Sequence, residues 1–501
     1  MRGDTMKLRD LLAGVPLTGY GPDLEMEINS ISYDTRTLQP GALFIALSGD
    51  KTDGHRYIRD AMEKGTAAVL CQRAPAEPGP WLTTPDSRLA LALVSANWFG
   101  RPGDGMILTA VTGTNGKTTT TSLLKELLER ASGAKVGLIG TNRNMIGSRE
   151  LPAHRTTPES YELQALLRQM ADEGCTHVVL EASSHALVQR RTAGLTFAAA
   201  VFTNLTQDHL DYHHTMEEYR AAKGLIFRQC GTAVLNLDDE AGRWYREQVD
   251  CPVFTYSENK TQADLSAKNI RLFSSHVEFE ALTLGNLARV HLPIPGGFSI
   301  YNALAALSAG LCLGLDLEKM ARAMPAVHGV KGRVEVVPVP RAYTVIIDYA
   351  HTPDALENIL TTARDFTANR LICLFGCGGD RDKTKRPVMG AIAGELADLV
   401  VVTSDNPRTE DPQAIISDIM SGMERSDAGL HVEPDRTAAI VWTLEQGRPG
   451  DVIILAGKGH ETYQEIGAVR RRLDEREVIA DYFRQSNARQ EKTGKVPLDV
   501  V

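Results

Sequence analysis

The sequence predicts an α/β protein of three domains: a central parallel-sheet domain flanked by an N-terminal α/β domain and a C-terminal Rossmann-like α/β domain. Three observations lead there. The chain has 501 residues, more than a single hydrophobic core sustains. From about residue 106 to 330, short apolar runs alternate with glycine loops and segments of helical period, which is the pattern of a parallel sheet with crossover helices. A second alternation of the same kind begins near Lys331-Gly332-Arg333.

Residues 1–98 read as one mixed unit. Leu43–Leu47 and Ala67–Leu70 are strand-like runs, and Ile58–Lys64 is a helical segment between them. Phe99–Gly105, rich in Gly and Pro, is a linker. In the central domain, 106–330, Met106–Val111 is a strand and Gly113–Lys117 a loop. Leu123, Leu124, Leu127 and Leu128 give Thr118–Arg130 a helical period, and His177–Leu180 and Ala198–Phe202 are further strands. In the C-terminal domain, 331–490, strands are expected at Thr344–Ile347, Leu371–Phe375, Leu399–Val402 and Val452–Leu455. From about Asn487, polar residues without apolar period predict a frayed end, with 491–501 as the tail.

Composition narrows the function. The hydrophobic fraction of 43% and charged fraction of 23% are those of a soluble globular protein. The net charge of −9 and pI of about 5.9 argue against a nucleic-acid partner. No run reaches the roughly 20 apolar residues of a membrane span. The N-terminus lacks the apolar core of an export signal. Seven scattered cysteines without framework spacing then point to reduced thiols in a cytoplasm. Cys373 and Cys377, four apart, have no second pair to complete a zinc site and read as structural. A monomer is the default expectation.

The most informative motif is Thr112-Gly113-Thr114-Asn115-Gly116-Lys117-Thr118-Thr119, after a strand and at the opening of a helix. Backbone amides and a helix N-terminus there form an anion site. Lys117 would reach the β- and γ-phosphates of a nucleotide and the Thr118 hydroxyl would ligate Mg²⁺. Val111 stands where the standard loop has its first Gly, so this is a variant phosphate loop. A bare strand-to-helix turn needing small residues is the bland alternative. Glu181 follows the strand Val178–Leu180, at the sheet edge where ligands bind. The stretch Asn204-Leu205-Thr206-Gln207-Asp208-His209-Leu210-Asp211-Tyr212-His213-His214 follows another strand. Its histidines suggest zinc, whereas a nucleotide site wants oxygen ligands around a hard cation.

Together these segments resemble the Mur ligase superfamily, which includes folylpolyglutamate synthetase, and the resemblance extends along nearly the whole chain. It implies ATP as co-substrate and two Mg²⁺ ions. Gly113, Thr114, Asn115, Gly116, Lys117, Thr118 and Thr119 would hold the phosphates. Glu181 and His209 would ligate metal, and Lys223 would do so as a carbamate, an anionic oxygen donor made from a cation. Asn302, Arg333 and Asp348 match residues around the rest of ATP. By the same resemblance the chain activates a carboxylate as an acyl phosphate and forms an amide.

Three further segments imply the substrates. Tyr33-Asp34-Thr35-Arg36 resembles the family's UDP-binding domain, with Thr35 where Ser is usual. Thr156 and Thr157, with Ser183, Gln189 and Arg191, match contacts to a UDP-muramyl-dipeptide; hydroxyls and an Arg suit its carboxylates and phosphates. Asp405-Asn406-Pro407-Arg408 resembles the members that add meso-diaminopimelate, since a second carboxylate calls for the bidentate Arg408. Arg381, Gly457 and Glu461 match the rest of that pocket, Glu461 taking the ammonium. The implied reaction adds meso-diaminopimelate to UDP-N-acetylmuramoyl-L-Ala-D-Glu in peptidoglycan precursor synthesis. A lysine-adding cell-wall ligase, a folylpolyglutamate-type ligase on the same scaffold and a nucleotide-regulated binding module are the alternatives.

Overall fold

The computed structural model describes residues 5–19, 21–49, 52–424 and 426–493, with residues 211 and 487–493 described by their backbone alone. These fall into two compact units, one within 1–264 and 305–316, the other within 265–304 and 317–501.

Among the described residues the first unit holds three sheets, the smallest being the antiparallel pair Met6–Lys7 and Glu27–Ile28. Ser30–Ser32, Ala42–Ile45, Ala68–Cys71 and Trp81–Thr83 form a parallel sheet in sequence order. Asp86 accepts from the Arg88 and Leu89 amides and so caps the helix Ser87–Trp98, which packs Ala90, Leu91 and Val94 into the core with Leu43, Ile45 and Leu70.

The larger sheet runs, in spatial order, through Val136–Ile139, His177–Glu181, Ile107–Thr112, Phe197–Phe202, Cys230–Asn236 and Val253–Ser257, all parallel. Two short antiparallel strands, Asn144–Ile146 and Arg149–Leu151, extend one edge. Helices cover both faces, so the strands are continuously apolar: Val178, Val179 and Leu180 are all buried. Ile107–Thr112 is flanked by His177–Glu181 on one side and Phe197–Phe202 on the other. The strand order reverses here, so the carboxyl ends of these three strands open the crevice in which such sheets bind ligands.

The second unit contains an antiparallel meander, Leu265–Leu272, Val277–Thr283 and Asn286–Leu292. The expectation of strand–loop–helix alternation through residue 330 passes over it. Its signal was present as period two: Val277, Phe279, Ala281, Ala288, Val290 and Leu292 are buried while the residues between them are not. The same unit holds a six-stranded sheet in the order Glu335–Val337, Thr344–Asp348, Val452–Ala456, Leu371–Phe375, Leu399–Val402 and Gly429–Val432, with only the first strand antiparallel. Every strand expected in this region is present. Pro353–Arg364 begins as a helix should, with Thr352 capping the Ala355 amide and Pro in the first turn.

The last helix, Glu475–Thr493, continues through the polar stretch from 487 expected to be a tail; residues 494–501 lie outside the described residues. Cys373 and Cys377 are buried among apolar side chains, and burial pushes both thiols up to about 12.

Candidate active site

The phosphate loop leaves strand Ile107–Thr112 at Gly113 and enters helix Lys117–Ser132 after Gly116, both glycines at positive φ, +148° and +83°. A Cβ on Gly113 would lie 1.9 Å from Thr203 Oγ1, so glycine alone allows the loop to approach the neighbouring strand end. That strand end braces the loop. Asn204 accepts from the Thr114 amide through its carbonyl (2.8 Å) and from the Asn115 amide through Oδ1 (2.9 Å), and Thr203 Oγ1 donates to the Asn115 carbonyl (2.6 Å). The helix contributes the positive end of its dipole.

Two lysines converge on one carbonyl. Lys117 Nζ donates to Gly113 O (2.9 Å) and Thr114 O (2.8 Å), and Lys223 Nζ donates to Gly113 O (2.8 Å). Lys223 is 1% exposed, on helix Met216–Gly224, with its ammonium 4.2 Å from the centre of the Tyr219 ring. Burial first, and then the charge of Lys117, hold the Lys223 pKa well below the usual lysine range. This favours the neutral amine, the form that reacts with carbon dioxide.

Glu181 ends its strand beside Val111 and is buried. Its carboxylate accepts from Thr118 Oγ1 (3.0 Å), from Thr141 Oγ1 (2.8 Å) and from the Thr141 amide (3.0 Å). A carboxylate and hydroxyls clustered beside a phosphate loop are the donors a hard divalent cation takes, so the residues fit Mg²⁺. His209 is placed differently. It is exposed, at φ 54°, with Nε2 3.4 Å from Asp208 Oδ2, and meets this group through ring packing against His185 (4.9 Å) and Tyr219 (6.1 Å). Its neighbour His213 instead packs inward, with Nε2 2.8 Å from Ser184 Oγ.

The second Thr/Arg group adjoins Glu181. Thr156 Oγ1 lies 3.1 Å from Thr141 Oγ1; Thr157 Oγ1 donates to the Glu181 carbonyl (2.7 Å) and accepts from the Ser183 amide (3.1 Å). Arg191 donates to Thr157 O (2.9 Å) and Gln189 Oε1 (2.7 Å), and its Nε lies 3.3 Å from Glu159. From the N-terminal sheet, Tyr33 OH donates to Glu162 Oε1 (2.6 Å), on the helix that follows Thr157. Tyr33 and Thr35 line a cavity of about 430 Å³ with Arg36, Phe44 and Tyr57.

In the second unit, Arg333 lies 5.2 Å from the Tyr349 ring, and its Nε is buried without a hydrogen-bond partner among the described residues. A Cβ on Gly332 would lie 2.1 Å from the His460 amide nitrogen, so this approach also requires glycine. Asp348 is buried and accepts from the Val334 and Ala350 amides (2.8 Å each); burial pushes its carboxyl up against those bonds. Asn302 is buried on helix Gly297–Cys312.

The Asp405–Arg408 turn forms a separate cluster at the ends of the C-terminal strands. Asn406 Nδ2 donates to Glu461 Oε2 (2.9 Å), and buried Lys458 donates to Asn406 Oδ1 (3.0 Å) and Glu461 Oε2 (3.1 Å). Gly457, at φ 111°, lets Asp405 Oδ2 approach within 2.7 Å of where a Cβ would stand. After Pro407, Arg408 at φ 51° donates from Nη1 to Gly379 O (2.8 Å) and from Nε to Glu465 Oε2 (3.2 Å), which aims its guanidinium. Arg381 is exposed, donating to its neighbour's carbonyl (3.1 Å).

Sequence reasoning passed over Thr141, Asn204, Tyr219, Lys458 and Glu465. Tyr219 had a signal, because it precedes Lys223 by four residues and so shares its helix face. Thr141 had none, since its partners Thr156 and Glu181 stand 15 and 40 residues away.

Comparison with known proteins shows the family. The Mur ligase middle domain matches residues 111–310, the Mur ligase glutamate ligase domain matches 332–459, and the Mur ligase family catalytic domain matches 27–90. The chain is 44% identical over 466 residues, 92% of its length and 96% of the relative's, to a UDP-N-acetylmuramoyl-L-alanyl-D-glutamate–2,6-diaminopimelate ligase of Clostridium botulinum. A solved structure of a ligase of the same name has a TM-score of 0.76 at 32% identity, covering 97% of this chain and 100% of that one. A Mycobacterium tuberculosis folylpolyglutamate synthase complexed with ADP and AMPPCP shares the fold, at a TM-score of 0.57 and 18% identity over 82% of this chain and 96% of that one. The chain belongs to the Mur ligase family of ATP-dependent ligases.

Proposed function

We propose that the protein joins meso-diaminopimelate to the D-glutamyl carboxyl of UDP-N-acetylmuramoyl-L-Ala-D-Glu, with cleavage of ATP to ADP and phosphate, as a step of peptidoglycan precursor synthesis in the cytoplasm. The observation that carries the amino-acid choice is the Arg408 cluster. A guanidinium aimed by Glu465 and Gly379 suits a carboxylate, and Glu461 beside Asn406 suits an ammonium. The 44% identity to a relative named for this reaction supports the same reading. No described helix is long and apolar enough to cross a membrane.

The chemistry divides among the residues. The loop Gly113–Thr119 and Lys117 cradle the triphosphate, and Arg333, Asp348 and Asn302 serve the rest of ATP. Mg²⁺, held by the Thr118 hydroxyl and the Glu181 carboxylate with His209 and carbamylated Lys223, would supply charge neutralisation at the transferring phosphoryl group. The Tyr33–Thr35 cavity takes the uridine end of the substrate, and Thr156, Thr157, Ser183, Gln189 and Arg191 take its muramyl-dipeptide end. There the glutamyl carboxylate attacks the γ-phosphorus, the bond to the β-phosphate oxygen breaks, and ADP and an acyl phosphate form. The free amine of diaminopimelate then attacks the acyl carbon, and the tetrahedral intermediate expels phosphate. Most of the catalysis is positioning and charge stabilisation. The domains 1–98, 106–330 and 331–490 would carry the uridine end, the nucleotide and the amino acid respectively.

The test is phosphate release from ATP with the UDP-muramyl-dipeptide present, comparing meso-diaminopimelate, L-lysine and no amino acid. Release with diaminopimelate alone, with a tripeptide product by mass, is expected. Release with lysine would retain the ligase and overturn the role of Arg408. Silence with all three would overturn the substrate assignment.

A further inference from the structure

The meander of the second unit carries two histidines and a carboxylate on one face, and the reaction above uses none of them. Glu278, on strand Val277–Thr283, lies directly opposite His291 on strand Asn286–Leu292. Both point away from the core, because Val277, Phe279, Val290 and Leu292 are buried and side chains alternate along a strand. Direct opposition brings His291 Nδ1 to 3.3 Å from Glu278 Oε1.

His276 enters from the turn before Val277, closed by the Phe273 amide donating to His276 O at 3.0 Å. Its ring stacks on Phe273 with centroids 4.3 Å apart and planes 11° apart, and lies 4.5 Å from the His291 ring. Ser275 Oγ is 3.1 Å from His276 Nδ1, so Nε2 is the nitrogen turned to Glu278, 3.8 Å from Oε1. The three donor atoms all lie within 4.8 Å of one another. Donors bound tetrahedrally at about 2.05 Å from zinc stand about 3.3 Å apart. One separation already has that value, and half-buried side chains at a turn and a strand pair can close the others by small rotations.

We propose that His276, Glu278 and His291 form a binding site for a divalent transition metal of the zinc class, separate from the magnesium donors at Thr118 and Glu181. Two imidazoles and one carboxylate select borderline ions over magnesium, and three protein donors leave a position for water. The bound ion ties the 273–276 turn to the strand Asn286–Leu292.

Zinc titration of untagged, full-length protein tests this, followed by calorimetry with excess magnesium and a reductant present. The expected result is one zinc equivalent that the double variant His276→Ala/His291→Ala lacks. Each single variant should weaken that equivalent by at least about tenfold, because even the outer partners of metal ligands are worth 10–100-fold. Cobalt in place of zinc should give visible absorption that the double variant loses. Melting curves supply a second readout: zinc should raise the transition of the wild type but not of the variants, which should match the wild type without metal. Equal stoichiometry and affinity in wild type and double variant would place the zinc elsewhere, on thiols for example, and overturn the proposal. No zinc bound by the wild type would do the same.

Discussion

Replacing Lys223 by methionine in carbon-dioxide-free buffer separates what this side chain costs from what it does. In the native state the ammonium is buried, with one carbonyl partner at 2.8 Å and one aromatic face at 4.2 Å. The charge-assisted hydrogen bond contributes about 1.5–3 kcal/mol, and the cation–π contact about 2 kcal/mol. Against them stand a desolvation penalty of several kcal/mol per ion and repulsion from Lys117, which together depress the pKa. Methionine keeps the volume and the apolar stem, so the variant should be more stable by about 1–3 kcal/mol at neutral pH.

The sign with pH is fixed. The folded pKa lies below the unfolded value of about 10.4, so the penalty is absent above that pH, accumulates as pH falls from there toward the folded pKa, and is complete below it. The gain of Lys223→Met should therefore vanish near pH 10.5 and grow toward neutrality. Calorimetric scans from pH 7 to 10.5 measure it, at roughly 2–4 °C per kcal/mol for a domain of 150–250 residues. In bicarbonate-containing buffer, where the wild type can form the carbamate, ligase activity should fall at least about a hundredfold, since an anionic oxygen can no longer be made at this position. A variant less stable than wild type at pH 7, or equally stable at every pH, would refute the account of Lys223 as an unfavourably buried cation. A variant retaining full activity would refute its role at the reacting phosphate.

Arg408→Lys should raise the KM for diaminopimelate about 10–100-fold, through loss of the bidentate donor pair, while leaving the KM for ATP unchanged; steady-state kinetics in each substrate reads both. Gly113→Ala should abolish nucleotide binding measured by calorimetry, because the new Cβ would stand 1.9 Å from Thr203 Oγ1 and force the loop off its neighbour. Arg436→Met should destabilise the second unit by about 3–5 kcal/mol, since it leaves the buried Glu475 carboxylate without the guanidinium 2.8 Å away. Denaturant melts should then show that adding Glu475→Leu to Arg436→Met restores much of the loss.

The parts legible in the sequence were those whose chemistry is local. The run from Thr112 to Thr119 reports a strand, a tight turn and a helix start within eight residues, and the structure places each element there. The apolar strands of both parallel sheets were equally visible, because strands buried on two faces need no partner to explain their composition. The meander at 265–292 was missed through expectation of a different period, although its alternation was there to read.

By itself the amino-acid sequence determined the element order and the positions of the chemistry-bearing residues at strand ends, because turn residues, caps and hydrophobic period act over a few neighbours. Tertiary structure alone decided which of those ends meet. Glu181 meets Thr118 across 63 residues and Thr141 across 40, Tyr33 meets Glu162 across 129, and Asn406 meets Glu461 across 55. The burial that lowers the Lys223 pKa likewise comes from Gly113 and Tyr219 packed around it, not from its own sequence neighbours alone. The physical reason is that strand order in a parallel sheet is set by how crossover helices pack, and that packing sums weak contacts over the whole domain, which no local pattern encodes.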